Sequence, residues 1–181
     1  MPDPANSTGD ECRIAAFARR VLVPTDFSEI SHATLACAVS LVERCNASLH
    51  ILHVLEEIVG AEPLGWHLRA GSEIEREVER SAWEDLQQLL STEDHVRLRV
   101  RLAVEWGIPA VEILRYARTH DVDLIAMGRH GRGGFRHLLL GSVAENVVRN
   151  APCAVLSVRH PAVGLAIQQV RRTSVTRVVS H

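Results

Sequence analysis

Apolar residues in this chain fall into short continuous runs, separated by stretches in which they recur at helical spacing. Residues 20–24, RVLVP, form a β-rich run stopped by Pro24. Thr25-Asp26-Phe27-Ser28 then leads into a helix carrying Ile30, Ala33, Ala38, Leu41 and Val42, with Ser28 as its N-cap. Residues 48–54, SLHILHV, alternate and then run apolar into a second strand. His50 and His53 stand three apart on it and so point to opposite faces, which argues against a shared metal ion. From Ser72 a polar helix aligns Ile74, Val78, Ala82, Leu86, Leu89 and Leu90 on one face, with Glu and Arg on the other. Residues 96–105, VRLRVRLAVE, predict a third strand near a sheet edge with its arginines turned to water. Pro109 opens a helix with Val111, Leu114 and Ala117 inward. Leu124–Met127 predicts a fourth strand, Gly141-Ser142 the start of a short helix, and Cys153–Val158 a last strand.

About five strands and four helices in alternation predict a doubly wound α/β domain, a parallel sheet with helices on both faces. In such sheets ligands sit beyond the carboxyl ends of the strands, where the strand order reverses. The domain is expected over residues 20–159. Residues 1–19 form a polar, turn-rich N-terminal tail expected to be disordered, 55–71 a long irregular connection around Trp66, and 160–181 a C-terminal tail whose pattern decides nothing.

Composition narrows the chemistry. With 181 residues, 46% of them hydrophobic, the chain suits one domain that buries about 70% of its unfolded surface. A net charge of −2 argues against nonspecific nucleic-acid binding. All 20 basic residues are arginine, so a P-loop lysine, Schiff-base chemistry and a kinase-type lysine are excluded. The four cysteines, Cys12, Cys37, Cys45 and Cys153, show no C-x-x-C spacing, and no basic-then-apolar leader stands before them, so a reducing cytoplasm is expected. No apolar run approaches the roughly 18 residues of a membrane span.

The stretch Asp121–Val158 carries the functional signal. Between Leu124 and Ala144 lie three arginines (Arg129, Arg132, Arg136), two histidines (His130, His137) and no carboxylate, a local field that favours an anion. A Gly-rich loop feeding a helix N-terminus holds phosphates well, because unpaired N–H groups point out of the first turn. The spacing is Gly128-x2-Gly131-x9-Gly141-Ser142. At these positions the chain resembles the universal stress protein family, in its ATP-binding branch, and the resemblance covers roughly residues 20–159.

That resemblance implies an adenine nucleotide alpha hydrolase-like fold, strand order 3-2-1-4-5, and ATP as ligand with Mg or Mn as its divalent ion. It assigns Gly128, Gly131, Gly141 and Ser142 to the ribose and phosphates, Pro24, Thr25 and Asp26 to the base and ribose end, and Val54 to the adenine edge. Met127, Arg129 and Val143, flanking the signature, complete the expected nucleotide-binding set. It further implies a homodimer paired through the last strand and a regulatory, stress-related role. No catalytic residue is placed by motif, so slow ATP hydrolysis is the most expected. Other readings stand beside this one. Any single glycine can serve a turn, and Ser142 with Glu145 reads as a capping box. The architecture also suits an adenine-nucleotide hydrolase, an adenylyl-transferring enzyme, or an interaction module without ligand.

Overall fold

The computed structural model describes residues 18–56, 73–129 and 141–159. The expectations for the N-terminal tail up to residue 17, for 57–72, for the loop 130–140 with Gly131, and for 160–181 lie outside these residues. In chain order the elements are β1 (Arg20–Thr25), α1 (Glu29–Cys45), β2 (Ser48–Leu55), α2 (Glu73–Gln88), α3 (Thr92–Arg97), β3 (Arg101–Trp106), α4 (Pro109–Thr119), β4 (Leu124–Gly128), α5 (Ser142–Asn150) and β5 (Ala154–Val158). The five strands form one sheet in the order β3-β2-β1-β4-β5, and every pairing is parallel.

Parallel strands covered on both faces read as continuous apolar runs, and Val21, Leu22 and Val23 on β1 are all fully buried. Alternation divides them between two cores, the first under α1 and α2 and the second under α4 and α5. Val21, Val23, Leu49, Ile51, Leu124 and Ala126 pack with Leu35, Ala38 and Val42 of α1 and Leu86 of α2. Leu22, Leu52, Ile125, Met127 and Val155 pack with α4 and with Ala144 and Val147 of α5. Helices thus cover both faces, as the sequence predicts. Ser28 caps α1, accepting from the Ser31 N–H.

Three expectations change. Residues 96–105 are not one strand: α3 ends at Arg97 and β3 begins at Arg101. Ser91 caps α3 through the Asp94 N–H, with Glu93 and Asp94 in the first turn, and Arg99 takes φ +50° between the two elements. Arg97 pairs with Asp94 and Glu43, while Arg99 donates to the Asn46 side chain at 2.9 Å and to the Ala47 carbonyl at 3.1 Å. Of these arginines only Arg101 lies on the strand.

The inward stripe of α2 is also shorter than expected. Ile74 and Val78, in its first two turns, are 56% and 41% exposed; Trp83, Leu86, Leu89 and Leu90 carry the contact. Val111 is turned out on α4, where the buried stripe runs Ala110, Ile113, Leu114, Tyr116 and Ala117. One residue past Ala110 rotates the side chain about 100° away from that face.

Candidate functional site

The sheet opens where its order reverses. β1 pairs with β2 along its whole length, Arg20 opposite Ser48 through Thr25 opposite His53. β4 pairs with β5 through Gly128 opposite Val158. Between β1 and β4, however, the ladder covers only Val21 opposite Leu124 and Leu22 opposite Ile125. Pro24 has no N–H to extend it. The carboxyl-terminal halves of the two strands therefore flank a gap, with Asp26 following one and Gly128-Arg129 ending the other.

On the β4 side the chain leaves the sheet at Arg129 and returns at Gly141. The Gly141 N–H donates to the Arg129 carbonyl at 2.7 Å, and the Arg129 N–H donates to the Val158 carbonyl at 3.1 Å. The two flanks of the signature are thus joined by backbone, and Gly128, Arg129, Gly141, Ser142 and Val143 share one corner of the molecule. Gly141 itself is the N-cap of α5, at φ −70° and ψ 155°, and among the described residues no side chain caps the helix. This corrects the capping-box expectation. Ser142 is the first helical residue, and Glu145 instead accepts from Arg149 at 2.8 Å and 3.2 Å. Gly141 has no side chain to offer the first-turn N–H groups, which no intrahelical carbonyl can reach.

Neither described signature glycine has a conformational need for glycine. Gly141 lies in the extended region, Gly128 is an ordinary strand residue, and the one positive-φ glycine among the described residues is Gly107, at +142°. A turn explains Gly107; it does not explain Gly128 or Gly141.

On the β1 side, Thr25 is buried and its hydroxyl is engaged, donating to Ser31 Oγ at 3.2 Å and accepting the Phe27 N–H at 3.1 Å. Asp26 is half-buried, and its Oδ1 accepts the Ser28 N–H at 3.1 Å, an Asx turn of the structural kind that the sequence also allows. Val54 and Val143 are half-buried against the second core, and Met127 is buried in it. β2 stands next to β1 and not next to β4, so Val54 lies two strands, about 10 Å, from the signature strand.

The histidines on β2 go to opposite faces. His53 Nδ1 meets the Thr25 carbonyl at 2.8 Å. His50 Nδ1 meets the buried Tyr116 hydroxyl at 3.1 Å, and Tyr116 stacks on His120 with ring centroids 3.9 Å apart. Burial, together with the charges of Arg101, His120 and Arg20, lowers the His50 pKa to about 4. Burial raises the thiols of Cys37 and Cys45, and raises Cys153 to about 11, with Asp123 adding to the last. None of these three is the activated thiolate that nucleophilic chemistry needs. Sequence reasoning missed the tie between His53 and the Asp26 turn; parity gives the face of His53, but its place opposite Thr25 comes from the β1–β2 register. Among the described residues no cluster of three metal-ligating side chains occurs, and no helix is long and apolar enough to cross a membrane.

A model of the universal stress protein family matches residues 18–159. The chain belongs to that family. Universal stress protein MJ0531 of Methanocaldococcus jannaschii is 31% identical over 157 residues, covering 79% of this chain and 83% of the relative. Universal stress protein YxiE of Bacillus subtilis is 32% identical over 147 residues, covering 77% of this chain and 98% of its own. The solved structure of the universal stress protein UspA from Lactobacillus plantarum aligns with TM-score 0.67 at 26% identity, over 78% of this chain and 98% of that one. The sheet order and the helices on both faces are those of the universal stress protein fold.

Proposed function

We propose that this universal stress protein binds ATP in the gap between β1 and β4, and that the nucleotide governs conformation or assembly with slow or no hydrolysis. The observation that carries the reading is the corner where Gly128 and Arg129 meet the glycine-capped N-terminus of α5 through the 2.7 Å bond from Gly141 to Arg129. First-turn N–H groups behind a glycine N-cap, with Gly128 and Gly141 both in conformations open to any residue, fit a phosphate chain. In this reading Gly128, Gly131, Gly141, Ser142 and Val143 cradle the phosphates and ribose beside Arg129. Pro24, Thr25 and Asp26 meet the base and ribose end, Val54 offers backbone to the adenine, and Met127 closes the floor. A divalent ion, Mg or Mn, enters with the phosphates and takes most of its ligands from them, with Asp26 as the carboxylate beside the gap. The domain is residues 20–159, the compartment cytoplasmic, and the assembly a homodimer.

The direct test is to purify the protein without added nucleotide, denature and clarify it, and analyse the released small molecules. ATP, ADP or AMP near one per chain supports the reading. A preparation that releases no nucleotide and takes up no ATP when titrated contradicts it.

A further inference from the structure

Phe27 takes φ +59°, a left-handed conformation that is an outlier for a bulky residue. Asn46 is also left-handed, but it is the C-cap of α1, where that conformation is ordinary. Phe27 has no such reason. Strain of this kind persists only where the surroundings over-determine it, and it gathers at ligand sites.

Those surroundings are specific. The Phe27 N–H donates to Thr25 Oγ1 at 3.1 Å, and the next N–H, of Ser28, donates to Asp26 Oδ1 at 3.1 Å. The Phe27 ring packs on the first core and lies 4.5 Å, centroid to centroid, from the His53 ring, tilted by 43°. His53 in turn holds the Thr25 carbonyl at 2.8 Å. A carbonyl only accepts, so Nδ1 carries the proton, which fixes the tautomer and the plane of the ring under Phe27. The backbone on either side of Asp26 is thus held from β2, the neighbouring strand, through one hydrogen bond and one ring contact.

We infer that Phe27 and His53 are positioning residues: their ring contact, with the His53–Thr25 hydrogen bond, keeps the turn strained so that Asp26 is presented to the adenosine end of the nucleotide. The inference rests on the nucleotide reading above. Its test is calorimetric titration with ATP, at temperatures below each variant's melting transition. Phe27→Gly removes the ring while glycine accepts φ +59° without strain; His53→Gln keeps a donor for Thr25 but no ring. Each is expected to weaken ATP binding about tenfold. Phe27→Tyr, which keeps the ring, is expected to bind as the parent does. Because both residues act through Asp26, neither change should weaken binding further in an Asp26→Ala background. Parental affinity in Phe27→Gly and His53→Gln, or losses that add fully to that of Asp26→Ala, would overturn the inference while leaving the nucleotide reading in place. A parent that takes up no ATP overturns both.

Discussion

Gly141 has the dihedral angles of any extended residue, so its lack of a side chain matters only if something must approach the backbone there. Ser142, next to it, illustrates how a motif can suggest the wrong role. S-x-x-E reads as a capping box, yet the helix begins one residue earlier and Glu145 turns to Arg149. Removing the Ser142 hydroxyl therefore takes away no cap. Ser142→Ala is expected to change unfolding stability by no more than about 0.5 kcal/mol, and thermal melts of the two proteins check it. A second residue-scale expectation concerns pH. The unfolded chain protonates His50 near pH 6.5, while the folded chain resists protonation until about pH 4. Stability is thus full above that window and falls as pH drops through it, by about 3 kcal/mol. Denaturant titrations between pH 7 and 4 should show a shallower fall in His50→Gln; equal slopes would remove His50 as the cause. The opposite faces of His50 and His53 were legible from parity, whereas Tyr116 as the His50 partner was not, because it comes from a helix 66 positions away.

Most elements were legible because apolar runs on β1, β2 and β4 are long enough to be buried on both faces. The exception is instructive. Alternation over residues 96–105 looks like one strand, but the Ser91-Thr92-Glu93-Asp94 start favours a helix and Arg99 closes it in a left-handed turn. The capping signal was present in the sequence and outweighed the period-two pattern. β5 raises an element-scale prediction. Among the described residues it forms one edge of the sheet, with Val155 buried and Leu156 and Val158 half-buried, and an apolar edge of this kind is a liability unless it is paired. Light scattering at micromolar concentration is expected to give about twice the 20.0 kDa chain mass. A monomer under those conditions would mean that the edge is protected in another way.

At the scale of the whole molecule, the strand order decides the function that can be built. Because β1 lies beside β4, the segment at Asp26 and the segment at Gly128 flank the same gap although a hundred residues separate them. The place of the gap could be expected only through the strand order 3-2-1-4-5 that the resemblance to the universal stress proteins implies. The early end of the β1–β4 ladder after Leu22 could not, since it depends on how the two strands diverge in space. The most direct measurement is calorimetric titration of ATP into the parent and into Gly141→Val, with thermal melts of both. Valine accepts the backbone conformation found at Gly141, so the variant should stay folded while its side chain blocks the approach of phosphate. Saturable binding by the parent and binding weakened at least about tenfold in a folded Gly141→Val is the expected result. ATP binding of parental strength in that variant would contradict a phosphate site at the N-terminus of α5.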